Sequence, residues 1–89
     1  MTVRRRVVVH GRVQGVGFRM ACAREAARCQ IGGWVRNSAG RTVEAAFEGD
    51  SEAVDQMVSW CRTGPAAARV TDVEVFDELP AGENRFDIR

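Results

Sequence analysis

The sequence has no lysine and no tyrosine, and it has one histidine, two prolines and three cysteines in 89 residues. Each shortage excludes something. Without lysine, the glycine-rich segment at residues 11–17 cannot be a Walker A loop, which needs a lysine after its last glycine. With only His10, no histidine-based metal cluster exists, and Cys22, Cys29 and Cys61 lack the close pairing of a zinc site. An odd number of cysteines also argues against a disulfide framework. The three are expected to be small core residues in a reducing cytoplasm. No apolar run approaches the roughly 18 residues of a membrane span. Val7-Val8-Val9 is too short for the core of a signal peptide. There is no linker or low-complexity tract, so residues 1–89 are expected to form a single domain.

What is present is ordinary globular material, 45% hydrophobic and 28% charged, with a net charge of +1. That near balance argues against a general nucleic-acid binder. The signs are nonetheless segregated. Residues 1–45 carry nine arginines against Glu25 and Glu44, or +7; residues 46–89 carry four arginines against ten acids, or −6. Such a split can mark an anion site. The absence of lysine is assigned to composition rather than to function.

Val7 and Val9 alternate with Arg6, Val8 and His10, a strand pattern running to Gly11. From Phe18 the period changes. Phe18, Ala21, Cys22, Ala26 and Cys29 form one stripe of an amphipathic helix. Gly32-Gly33 breaks that pattern. A short strand from Trp34 to Asn37, a turn at Asn37-Ser38-Ala39-Gly40 and an alternating segment from Thr42 to Glu48 then read as a hairpin. Asp50 is placed to cap a second helix striped by Val54, Met57, Val58 and Cys61 and closed by Gly64-Pro65. Val70 to Phe76 alternates again, and Phe86 with Ile88 marks a last short strand. The order predicts an α+β, ferredoxin-like fold (split βαβ, β-α-β-β-α-β). Its antiparallel sheet carries both helices on one face and a short extra C-terminal strand. This fold by itself names no function.

The strongest local signal is Gly11-Arg12-Val13-Gln14-Gly15-Val16-Gly17-Phe18-Arg19. It is a glycine-rich connection between a strand and a helix start. Gly15 and Gly17 permit positive φ, so successive main-chain N–H groups can converge as an anion nest. The first helical turn adds unpaired N–H groups. Arg19 stands in that turn, where a cation is unfavourable unless an anion binds beside it; its planar fork suits two phosphate oxygens. The segment is not a dinucleotide fingerprint, because Met20 stands at the third glycine position.

The same residues closely resemble the acylphosphatase family, whose signature reads glycine, a variable residue, Val-Gln-Gly-Val and shortly Phe-Arg. A second family signature is matched by Gly33-Trp34-Val35-Arg36-Asn37. Val43-Glu44, Glu48-Gly49, Gly64-Pro65, Ala68-Arg69-Val70 and Phe86-Asp87-Ile88-Arg89 extend the resemblance along almost the whole chain. It implies hydrolysis of the carboxyl–phosphate bond of acyl phosphates, with no metal and no cofactor. Arg19 would bind the phosphoryl group, the backbone amides of Gln14, Gly15, Val16, Gly17, Phe18 and Arg19 would cradle its oxygens, and Asn37 would hold the attacking water. The implied ligands are an acyl phosphate and phosphate or other anions in the cradle, with no nucleic acid and no membrane. The implied state is a cytoplasmic monomer. On this view the positive half serves one small dianion, Arg4-Arg5-Arg6 is a solvated strand end and Arg36 a solvated flanking charge. Trp34 is hairpin core or edge packing, Trp60 is partly exposed packing, and His10 is unassigned. The hairpin turn Ser38-Ala39-Gly40-Arg41 departs from the family's usual Asp-Gly turn. Cys29-Gln30-Ile31 stands where leucine and glycine are usual.

Overall fold

A computed structural model describes all of residues 1–89. Strand β1 (Thr2–Arg12) leads to helix α1 (Phe18–Arg28). Strand β2 (Gly32–Ser38) and strand β3 (Thr42–Asp50) follow, joined by a short helical turn (Ala39–Arg41). Helix α2 (Ser51–Cys61), strand β4 (Arg69–Glu78) and strand β5 (Phe86–Ile88) complete the chain. The sheet order is β4-β1-β3-β2-β5. The four long strands pair antiparallel, as the alternation predicts, but β5 runs parallel to β2, with Val35 beside Ile88. The sheet is therefore mixed at that edge. Neither helix is long and apolar enough to cross a membrane.

Both helices lie on one face. Phe18, Cys22 and Ala26 from α1 and Val54, Met57, Val58 and Cys61 from α2 pack onto Val7, Val9, Val35, Val43, Ala45, Phe47 and Val73 of the sheet. Alternation puts these strand residues on a common side, and each large buried side chain contributes about 1.5–3 kcal/mol. Cys22 and Cys61 are fully buried and free. Hydrogen bonding to Cys61 and burial push the Cys22 thiol well above its usual range, so it packs as a small apolar group. Cys29 is not a core residue: it caps the C-terminus of α1 and is half-exposed against the core's margin.

Two local expectations need correction. Gly32 and Gly33 do not precede β2 but belong to it. A Cβ on Gly33 would lie 1.9 Å from the Ala46 carbonyl oxygen, and one on Gly32 would lie 2.2 Å from that of Glu83. Close approach of neighbouring backbones, rather than a chain break, requires these glycines. Asp50 does occupy the N-cap position of α2, but its side chain makes no capping bond; it faces the amino group of Met1 at 3.5 Å.

The open face of the sheet is held by charge. Arg4 is buried there, donating from Nη1 to Glu48 (3.0 Å) and Glu83 (2.9 Å) and from Nε to Glu78 (3.0 Å). Arg6 donates to Glu44 and Glu78, at 2.9 and 3.1 Å, and Arg36 reaches Glu44 at 2.6 Å. On the helix face Arg5 pairs with Asp55 and Asp77. Arg4-Arg5-Arg6 is thus not a solvated strand end, and Arg36 is not a free flanking charge. The two halves of opposite sign are cross-strand partners. Opposite charges placed across neighbouring strands support the pairing, so Arg4, Arg5 and Arg6 are taken up by acids of the second half, and Arg36 by Glu44, instead of serving a dianion.

Candidate active site

At the end of β1 the register with β4 shifts between His10 and Gly11. This bulge bends the strand and re-aims the chain over the end of the sheet. Gly11 adopts φ 119°, where a Cβ would stand 2.1 Å from the Arg69 carbonyl oxygen. The chain then turns through Gly15 and Gly17, both left-handed at φ 74° and 77°. Gly17 is the N-cap of α1 and offers no side-chain cap. The helix's first main-chain bond is Ala21 N–H to the Gly17 carbonyl, and the N–H groups of Gln14 through Met20 find no main-chain acceptor. These seven donors belong to one tight turn and one helix start, which is the arrangement of an anion nest. At Gly15 nothing lies within 4 Å of the place a Cβ would take, so the requirement there is conformational. Gly15→Ala is expected to cost about 1–2 kcal/mol from the left-handed backbone, read as a lowered thermal midpoint in a chain that still folds.

Three contacts hold this loop in place. The Gln14 amide donates to the carbonyls of Ser38 (3.1 Å) and Thr42 (2.8 Å), clamping the loop to both sides of the hairpin turn. Val13 is buried beneath it. Phe18, the first residue of α1, is buried with its ring 5.3 Å from that of half-buried Trp60 and against Gly64. The packing of Trp60 is as expected. The Gln14 clamp was invisible in the sequence, because its acceptors are main-chain carbonyls that carry no side-chain signature.

Arg19 projects from the first turn of α1, and its Nη1 donates to the main-chain oxygen of Arg89 at 3.0 Å. This bond fixes one edge of the guanidinium and leaves its other N–H groups for a ligand. Asn37 is exposed on β2, two residues beyond buried Val35. By alternation it lies on the same side as the helices. Gly15, Gly17, Phe18, Arg19 and Asn37 line one open cavity of about 290 Å³, with Val13, Met20 and Ile88 as its apolar wall. The two residues singled out for chemistry, 18 positions apart, therefore meet at one mouth with the glycine loop. Nowhere do three His, Cys, Asp or Glu side chains converge as potential metal ligands.

The remaining candidates lie elsewhere. His10 sits outside the cavity, with Nε2 2.7 Å from Glu74. Trp34 is on the open face, outside the main core, with the guanidiniums of Arg36 and Arg89 5.1 and 5.0 Å from its ring centre. It packs the sheet edge, as expected, and holds down the end of β5.

A ferredoxin-like sheet with a glycine-rich loop of unpaired N–H groups, an arginine and an asparagine at one end defines a class of small α+β proteins. A family model for acylphosphatase matches residues 5–88. An acylphosphatase of Anaeromyxobacter dehalogenans is 52% identical over 98% of this chain and 95% of its own length. One of Thermococcus kodakarensis is 49% identical over 97% and 94%. The crystal structure of an acylphosphatase from Bacillus subtilis superposes with a TM-score of 0.94 at 36% identity, covering 98% of both chains. The chain belongs to the acylphosphatase family.

Proposed function

We propose that this protein is an acylphosphatase, a hydrolase that converts an acyl phosphate and water into a carboxylate and inorganic phosphate. The observation that carries the reading is the convergence of Arg19, Asn37 and the unpaired N–H groups of residues 14–20 on one cavity. The phosphoryl oxygens sit among the loop amides and accept from the free edge of the Arg19 guanidinium. Phosphoryl transfer demands this positioning and charge stabilisation more than covalent help from the protein. Asn37 accepts from the attacking water through its amide oxygen and donates to a phosphoryl oxygen through its nitrogen. As the water oxygen bonds to phosphorus, the bond to the acyl oxygen breaks. Its electron pair leaves on the carboxylate, and the water's proton passes to a phosphoryl oxygen. A carboxylate leaves readily, so no strong general acid is needed, and Asn37 orients rather than deprotonates. The same reading takes residues 1–89 as one acylphosphatase-like domain, working as a monomer in the cytoplasm, where its three free thiols are at home.

The test is hydrolysis of benzoyl phosphate followed by loss of its absorbance, with and without chelator. The parent is expected to turn over equally in both. Asn37→Ala should keep the fold and lose about 10²-fold in kcat, the scale of removing one positioned hydrogen-bonding group. A folded Asn37→Ala protein with parental kcat would overturn the role given to that residue.

A further inference from the structure

A second cavity adjoins the same loop. Its volume is about 660 Å³, more than twice that of the cavity at Arg19, and Val13 is its only apolar wall. Val13 and Gly15 line both cavities, so the two adjoin at this loop. Arg12 and Arg41 both line the larger one. Neither is one of the five arginines that form an ion pair in the fold. Arg4, Arg5, Arg6, Arg28 and Arg36 all have carboxylate partners, whereas Arg12 and Arg41 have neither an ion pair nor a side-chain hydrogen bond. Arg12 is moreover opposite Arg69 in the β1–β4 register, and Arg69 also lacks a carboxylate partner. Like charges directly opposite on paired strands are unfavourable, and a bound anion reverses that.

Arg41 carries the second mark. Its φ is 62°, a left-handed backbone that an arginine adopts only at a cost. It directly follows left-handed Gly40, and the Gln14 clamp ties their turn to the loop that begins at Arg12. The backbones that carry two unpaired arginines are thereby tied together next to the phosphoryl cradle. We propose that Arg12 and Arg41 form a subsite for a second anionic group on the substrate, so that the enzyme favours acyl phosphates whose acyl chain ends in a carboxylate. This deepens the acylphosphatase reading and rests on it. The phosphoryl group sits at Arg19, and the acyl chain crosses the loop at Gly15, where no side chain obstructs it. Its terminal carboxylate then meets the forked donors of Arg12 and Arg41.

The test compares succinyl phosphate with acetyl phosphate, which transfer the same phosphoryl group from an alkyl carboxylate but differ in the terminal carboxylate. The parent should favour succinyl phosphate in kcat/KM, through KM and more strongly at low salt, because exposed charges are screened. Arg12→Gln with Arg41→Asn, the latter suited to a left-handed backbone, should lower that preference about tenfold. A folded double variant with an unchanged preference overturns the subsite and leaves the acylphosphatase reading intact. Calorimetric titration with 3-phosphonopropionate and ethylphosphonate separates the two ideas when turnover is absent. Tighter binding of 3-phosphonopropionate, lost in the double variant, supports the subsite even if neither acyl phosphate is hydrolysed. Equal binding of the two phosphonates by the parent overturns it.

Discussion

Arg19→Gln is expected to lower kcat/KM for benzoyl phosphate by about 10³–10⁴-fold, the equivalent of ~4–5.5 kcal/mol of transition-state stabilisation. Glutamine keeps part of the side chain's length and a single donor nitrogen but removes the positive charge and the planar fork. Negative charge spreads over the phosphoryl oxygens in the transition state, so a guanidinium fixed beside them acts where it matters most. The fixing is visible: Nη1 is already engaged by the Arg89 oxygen at 3.0 Å, so little reorganisation is needed when substrate arrives. Arg19→Lys restores the charge but not the paired donors, and it should recover only a minor part of the loss. The fold should survive both changes, because Arg19 is half-exposed and its one hydrogen bond is at the surface. Circular dichroism and a thermal midpoint close to the parent's are the required controls. A folded Arg19→Gln protein with parental kcat/KM would remove the basis of the proposed function.

The architecture was largely legible because its signals are local. The switch from alternation in Val7–Val9 to the helical stripe of Phe18, Cys22 and Ala26 marks the first strand and helix, and the same change recurs around Asp50. The glycine loop, Arg19 and Asn37 were legible for a related reason. Positive φ demands glycine, and two motifs stand at the spacing of a known family. What escaped depends on residues distant in sequence. Gly33 looks like a breaker until the Ala46 carbonyl is found in the space of its missing side chain. Arg4 looks solvated until Glu48, Glu78 and Glu83 arrive from 44 to 79 positions away. Arg6 meets Glu44 across 38 positions. A charge count shows that the halves are opposite in sign. It does not show that folding lays Arg4, Arg5 and Arg6 against acids of the other half while Arg12 and Arg41 are left without a carboxylate.

The open-face charge cluster sets the second large effect. Glu48 is 4% exposed and receives four hydrogen bonds: from Arg4 Nη1, and from the main-chain N–H groups of Ala81, Gly82 and Glu83 at 2.8, 2.8 and 3.2 Å. It therefore ties down the crossing segment 79–85 that delivers β5 to the edge of β2. Through Ile88 and the Arg89 oxygen, that segment reaches the cavity at Arg19. Glu48→Ala takes the acceptor from three N–H groups and removes a carboxylate from a buried arginine. Removing one partner of a buried pair costs about 3 kcal/mol or more. For a domain of this size that lowers the thermal midpoint by roughly 12–24 °C. Arg4 keeps Glu78 and Glu83, which holds the loss to the lower end. Acid should produce the same weakening in the parent. Burial alone pushes the Glu48 carboxyl up, but the Ala81 and Gly82 N–H groups and Arg4 outweigh it and hold the carboxyl below its ordinary 4.5. Glu44 is likewise pushed up by burial and drawn below 4.5 by Arg36 and Arg6. A carboxyl lowered by folding stabilises the native state above its unfolded value and ceases to do so as pH falls through its folded one. Stability should therefore be level above about pH 5.5 and decline below about pH 4.5, as read by urea denaturation at stepped pH. In Glu48→Ala that acid decline should be shallower than in the parent; an equal decline would place the acid sensitivity elsewhere.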